Sequence, residues 1–330
     1  MIPLALVAGF LGSGKTTFLR QLSARNDGQR WAFLVNDFSA VNVDAQLLSE
    51  LDGEVISIPG GSIFCRCLTT TFTNTLKKIA RMNPPLDGVV IEASGMADPR
   101  SLADMLHETR LDEFYELSIV VSIVDPGTFQ KLLKTLPAMR AQVECADVVL
   151  LNKTDVFDED TIQQTEAAIR CVRDDVQVLR CVRGNTSIQF FRGNSHALKI
   201  HGEPTSCRDS SFLSATFRFR TPCNIGDVAE LLNSYEHILW RVKGFVPTKA
   251  GLMELHLTMR SGCHGTLDIQ PATTPAAQPV LAIIARGDAE KELDNLVNDL
   301  KQRYDFAPFA DCPKAHYSSS KPNPLSLMPL

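Results

Sequence analysis

No stretch of this 330-residue chain approaches the roughly 20 apolar residues that cross a bilayer; the run at 118–124 is among the longest and is far too short. A membrane-spanning role is not expected. Excess charge of one sign is also missing. Lys and Arg number 33 against 38 Asp and Glu, a net charge of −5, too little to gather nucleic acid or anionic lipid without a local patch. Neither is expected as a partner. No basic start or cleavage site accompanies the apolar residues after Met1, which run straight into a glycine-rich loop, so no secretory leader is read and the chain is expected to be cytoplasmic. The nine cysteines are odd in number and scattered, apart from Cys65 and Cys67. That fits a reducing compartment better than a disulfide framework. There is no internal repeat. What remains is a globular composition, 44% hydrophobic and 22% charged, at a length that suits two domains.

Short aliphatic or β-branched runs at 4–7, 31–35, 55–58, 88–91, 118–124, 148–151 and 176–179 alternate with stretches of helical period, among them 73–81, 101–107 and 161–172. Alternation of this kind predicts an α/β fold whose mostly parallel sheet is covered on both faces. Residues 183–211 turn to Gly, Asn, Ser, His and Pro and read as a linker between a first domain, 1–182, and a smaller α+β domain, 212–306. In the second unit the pattern predicts strands at 212–219, 252–259 and 280–285, helices at 225–234 and 288–304, and a loop at 271–279. The Ser/Pro-rich stretch 307–330 reads as a flexible tail.

Residues 9–16, Gly-Phe-Leu-Gly-Ser-Gly-Lys-Thr, satisfy G-x-x-x-x-G-K-[ST] between a strand and a helix, the context in which that spacing has physical meaning. The glycines let consecutive backbone N–H groups turn inward around phosphate oxygens. Lys15 can set its ammonium at the β/γ bridge, Thr16 can offer a hydroxyl to Mg²⁺, and the helix dipole adds to the anion site. A second motif, Asn152-Lys153-Thr154-Asp155, follows another apolar strand. A carboxylate at Asp155 can accept from both N1–H and the 2-amino group of guanine, whereas adenine presents an acceptor at N1 and no 2-amino group. Such a mismatch discriminates strongly. Asn152 can tie the base loop to the phosphate loop, and the Lys153 stem can lie along the purine face. A solvated turn with a helix cap is the blander alternative.

At 87–95 a strand delivers Glu92 to the carboxyl edge of the sheet, where ligands bind in open α/β folds. Glu92 is expected on the γ-phosphate side, holding a Mg²⁺-bound water or orienting the attacking water, with the Gly95 amide sensing the γ-phosphate. Cys65 and Cys67, one residue apart after Gly60 and Gly61, can both reach one soft or borderline ion, with Asp37 a possible oxygen ligand. They supply half of a tetrahedral shell, and two ordinary core cysteines are the alternative.

In order, the G-F-L-G-S-G-K-T-T loop, Asn36-Asp37-Phe38, Val43-Asp44, the paired glycines before a cysteine cluster, Ile91-Glu92-Ala93-Ser94-Gly95, Ala97-Asp98-Pro99, Val124-Asp125 and Asn152-Lys153-Thr154-Asp155 resemble the CobW family of metal-linked P-loop GTPases, relatives of the HypB and UreG metallochaperones. The likeness is strong over 2–180 and weaker over 212–304, where Lys243-Gly244-Phe245-Val246 is similar to the family's C-terminal domain. It implies GTP hydrolysis coupled to delivery of zinc, cobalt or nickel to a client metalloprotein, and nucleotide-dependent homodimerisation. It assigns Gly12, Ser13, Gly14, Lys15, Thr16 and Thr17 to the phosphates and Mg²⁺, Glu92 with Lys15 to catalysis, and Asn152, Lys153 and Asp155 to guanine. Cysteine usage departs from the family. C-x-C-C is usual directly after the paired glycines, and here Ser62, Ile63, Phe64 and Cys65 stand there, with Cys67 added. Either Cys65 and Cys67 form a shifted metal site, or metal handling is altered or lost. A nucleotide-gated activator that carries no metal is the corresponding rival. A small-molecule kinase is disfavoured by the guanine motif and by the lack of a recognisable acceptor site.

Overall fold

The short aliphatic runs become the strands of one parallel sheet. The structure, a computed structural model, describes residues 1–25, 28–37, 53–59, 62–64, 68–191, 202, 212–260, 263–273 and 277–308. The strands are β1 (Ile2–Gly9), β2 (Trp31–Asp37), β3 (Glu54–Pro59), β4 (Gly88–Glu92), β5 (Tyr115–Val124), β6 (Val148–Leu151) and β7 (Gln177–Arg180). They lie in the order β3-β2-β4-β1-β5-β6-β7, every neighbouring pair parallel. Among the described residues the helices of this domain are α1 (Lys15–Ser23), α2 (Thr69–Ile79), α3 (Leu102–Glu108), α4 (Pro126–Thr135), α5 (Pro137–Glu144) and α6 (Glu159–Val172). The period of two sorts the strand residues. Leu4 and Leu6 of β1 pack with α2 and α3 on one face, while Ala5 and Val7 pack with Phe18 and Leu19 of α1 on the other. That two-sided burial is why the strand reads as a continuous apolar run.

Helices α4 and α5, separated only by Leu136, are additions to the expected periods; each opens on proline in its first turn, where a missing N–H costs nothing and the fixed φ suits the helix. The described residues 183–191, at the start of the stretch expected as a linker, pack against the first domain, with Phe190 against Phe18 and Phe191 against Trp31.

The second domain is an antiparallel sheet of β8 (Phe212–Phe219), β9 (Leu239–Thr248), β10 (Gly251–Arg260), β11 (Cys263–Pro271), β12 (Val280–Arg286) and β13 (Phe306–Pro308), ordered β11-β10-β9-β12-β8-β13. Helices α7 (Ile225–Ser234) and α8 (Glu290–Arg303) cover one face, where Val228, Leu231, Leu293 and Leu296 meet Val242, Val246, Leu255 and Leu257. Strand β9 is hidden from periodicity because its alternation is broken. A register shift against β12 falls between the Arg241 and Leu239 pairings, so the bulge lets Leu239 and Val242 share the core face three residues apart. Gly244 is required here, since a Cβ would stand 2.0 Å from the Val280 carbonyl oxygen of β12. β13 takes residues 306–308 into the sheet beside β8; residues 309–330 lie outside the described residues. Among the described residues no helix is long and apolar enough to cross a membrane.

Candidate nucleotide-binding site

The central position of β1, between β4 and β5, sends the loop at 10–14 out of the middle of the sheet's carboxyl edge. Gly9, Gly12 and Gly14 all have positive φ, +145°, +76° and +106°, which is strained for any L side chain. Space is equally restrictive: a Cβ on Gly14 would stand 2.3 Å from Asn152 Nδ2. Gly14 begins α1 in the left-handed conformation with no side-chain cap, so the first-turn N–H groups face the loop's interior. Lys15 is buried, and its Nζ donates to the carbonyls of Gly9 (2.8 Å) and Phe10 (3.2 Å).

The second motif reaches the first through one amide. Asn152, 2% exposed at the end of β6, donates from Nδ2 to Ser13 O at 2.9 Å. Its Oδ1 accepts from Gly184 N at 3.0 Å. The side chain thereby joins the phosphate loop to the chain following β7. Lys153 takes a positive φ of +60° and its Nζ lies 2.6 Å from Asp125 Oδ2. Asp125 also caps α4 by accepting from Gly127 N. This partner of Lys153 escaped sequence reading, although the strand-end acid Val124-Asp125 was its signal. Asp155 stands exposed on the turn after β6.

Glu92 ends β4, 2% exposed, level with Val7 of β1 and Val35 of β2. Beyond it, Gly95 lies directly on the phosphate loop: a Cβ there would meet Leu11 N at 2.6 Å. Asn36 is the other residue that sequence reading left without a role. Its Nδ2 donates to Ile58 O at 3.0 Å, and its Oδ1 accepts from Ile63 N at 3.1 Å and Ser94 N at 3.3 Å. One buried amide thus ties the ends of β2, β3 and β4 together. Asp37 closes β2 at the same edge, whereas Cys65 and Cys67 lie outside the described residues. Ser62 is half-buried, while Ile63 and Phe64 are fully buried in the core beside Phe72 and Leu76. Among the described residues no three His, Cys, Asp or Glu side chains gather as a metal shell.

Gly12, Gly14, Lys15, Thr16, Thr17 and Lys153 open onto one cavity of about 400 Å³. An anionic nucleotide fits this donor set. The glycine cradle excludes side chains, α1 is uncapped, and the buried Ser13 and Ser94 hydroxyls have no hydrogen-bond partner among the described residues. The Thr16 hydroxyl is a hard oxygen of the kind that Mg²⁺ accepts beside phosphates. A separate cavity of about 440 Å³ between Phe18, Trp31 and Phe191 holds none of the phosphate-loop residues.

The family model "CobW/HypB/UreG, nucleotide-binding domain" matches residues 3–180. The zinc chaperone CobW of Pseudomonas aeruginosa is 27% identical over 238 residues, 62% of this chain and 63% of that protein. The zinc chaperone YjiA of Escherichia coli is 34% identical over 163 residues, 48% of this chain and 51% of the relative. The zinc-regulated GTPase metalloprotein activator 1 of Dictyostelium discoideum is 25% identical over 217 residues, 54% of this chain and 45% of the relative. The chain therefore spans between about half and just under two thirds of the length of these relatives. Among solved structures, Zn(II)-bound YjiA GTPase from E. coli aligns at a TM-score of 0.41 and 19% identity, covering 91% of this chain and 98% of that one.

Proposed function

This chain belongs to the CobW/HypB/UreG family, and from that premise we propose that it binds GTP with Mg²⁺, hydrolyses it, and couples the cycle to delivery of a transition metal to a client metalloprotein. Zinc, named in several relatives, leads cobalt and nickel as the cargo. The observation that carries the guanine reading is the Asn152 amide, which makes the base motif and the phosphate loop one hydrogen-bonded unit. Gly12, Ser13, Gly14, Lys15 and Thr17 hold phosphate oxygens, Asp155 selects guanine, and Lys153 flanks the base with its charge held by Asp125. Mg²⁺ on the Thr16 hydroxyl would neutralise charge on the β- and γ-phosphate oxygens. Hydrolysis transfers the γ-phosphoryl group to water, giving GDP and inorganic phosphate, and Glu92 is the carboxylate we assign to orienting that water. Coupling to metal runs through Asn36, because the segment carrying Cys65 and Cys67 begins where Asn36 holds Ile63 and Ser94. Loss of the γ-phosphate relaxes this edge and opens the ion's site. The same edge is assigned to nucleotide-dependent homodimerisation.

Calorimetry with GTP and ATP on wild type and Lys15→Ala tests the nucleotide half; equal binding of both nucleotides, or unchanged occupancy in the variant, defeats it. Titration of Zn²⁺, Co²⁺ and Ni²⁺ into nucleotide-free, GDP-bound and GTP-analogue-bound protein tests the coupling. Equal affinity in all three states leaves none to explain. A second reading, a nucleotide-gated activator that carries no metal itself, is favoured by one observation: the Phe64 side chain is core, where the family resemblance leads one to expect a thiol. Zinc stoichiometry of a Cys65→Ser/Cys67→Ser double variant separates the two. Zinc bound by the wild type and lost in the variant supports the carrier, and no bound zinc in either protein supports the activator.

A further inference from the structure

The sheet of the second domain carries a charged patch, on the face turned away from its two helices, that the function above does not use. Period-two alternation puts Arg241 and Lys243 of β9 on the face opposite the Val242 and Val246 core, and Glu254 and His256 of β10 opposite Leu255. Lys243 is level with His256, and His256 with Asp268 of β11. Lys243 and Glu254 are only 5% and 3% exposed. Burying a charge costs several kcal/mol unless other charges compensate, and here Lys243, Glu254 and His256 are gathered into one largely buried patch of mixed charge that lines a cavity.

That face forms the far wall of the 400 Å³ cavity. The phosphate loop and Arg20 of α1 line one side; Arg241, Lys243, Glu254 and His256 line the other. The two walls are held together next to the cavity. Phe10 of the phosphate loop packs edge-on against Trp240 at 5.8 Å and, tilted, against Phe212 at 6.4 Å. The bulge that separates Leu239 from Arg241 turns Trp240 toward this contact. The Trp240 Nε1 is itself buried with no acceptor among the described residues.

The geometry points to a nucleotide site with two walls: the phosphate tail is bound between the glycine loop and the C-terminal sheet, with Lys243 and Arg241 supplying cations from the second domain. Glu254 and His256, hydrogen-bonded to each other, are positioning residues that keep the Lys243 ammonium in the cavity wall. Burial works against the Glu254 charge, yet the His256 hydrogen bond, with the Lys243 and Arg20 cations adding, holds its carboxyl below the ordinary value. It remains the anion against which these cations are set. In this arrangement the nucleotide clamps the domains, so its phosphate state is read by the second domain of the same chain. The inference rests on the guanine-nucleotide reading and adds residues to it.

Hydrogen exchange of the full chain with and without a non-hydrolysable GTP analogue and Mg²⁺ tests it. Slowed exchange is expected both in the loop at 9–17 and in the strands at 239–258. Protection of the loop alone overturns the two-walled site and leaves GTP binding intact; protection of neither overturns both. Independently, Lys243→Met is expected to weaken analogue binding about tenfold or more, the loss of one charge-assisted hydrogen bond, while Lys243→Arg restores most of it. Analogue affinity equal to wild type in a Lys243→Met protein with an unchanged thermal midpoint overturns the proposal. If that variant does not fold, the exchange pattern of the wild type decides.

Discussion

Gly14 shows how little freedom the phosphate loop has at single residues. Its φ of +106° and the 2.3 Å approach of a Cβ to Asn152 Nδ2 act together, since a methyl group there pushes away the amide that links the two motifs. Gly14→Ala is expected to lower GTP affinity more than about tenfold, a conformational cost of about 1–2 kcal/mol plus the lost link, read by calorimetry. Thiol chemistry offers a second check. Burial, with the Asp98 charge adding, pushes the Cys145 thiol up to about 12, and burial pushes Cys181 up to about 11. Cys171 is exposed. Iodoacetamide at pH 8 is therefore expected to label Cys171 in the native protein and to reach Cys145 only after urea is added; peptide mass mapping that finds Cys145 labelled as fast as Cys171 contradicts the burial.

Among the elements, the edge where β2, β3 and β4 end depends on one side chain. Asn36→Ala leaves the buried amides of Ile63 and Ser94 without their acceptor, so a loss of about 1–3 kcal/mol is expected in urea unfolding, and the segment leading to Cys65 loses its anchor. The β9–β10 face carries a pH dependence. Burial is the largest influence on His256 and holds its imidazole below the ordinary 6.5, with Lys243 and Arg241 adding to this against the opposing pull of Glu254. Asp268 of β11 and Arg20 of α1 complete its charged surroundings. Below about pH 6.5 the unfolded chain takes up the proton that the folded one resists, and stability falls. Glu254, also lowered, extends the fall below its ordinary 4.5. The urea midpoint is expected to drop between pH 8 and 5.5, and to drop less in His256→Asn; an identical drop in both would remove His256 as the cause.

For the whole molecule the question is whether the two domains move as one. Trp31 and Trp240 are the two tryptophans of the chain, and Trp240 packs on the phosphate-loop Phe10. A Trp31→Phe variant makes emission a report on that contact alone. Adding GTP analogue is expected to shift Trp240 emission, and Phe10→Ala to abolish the shift; emission indifferent to nucleotide would mean the second domain is a passenger.

The phosphate loop, the guanine motif and the strand–helix alternation could be read from the chain because each is local: the spacing of glycines and a lysine, or a period of two or 3.6, needs no distant partner. Gly14 and Lys15 are of this kind. Asn36, Asp125 and Lys243 are not, because each acquires meaning only from groups far away in sequence. Asn36 joins residues 58, 63 and 94, and Lys243 faces a loop more than two hundred positions earlier. A bulge at Trp240 hid the strand that carries it, and two short proline-led helices with only Leu136 between them were hard to tell apart as separate elements. The substitution at Phe64 was visible as a letter, but only the packing decided that its side chain belongs to the core, since a phenyl ring gains more from burial than from facing an ion.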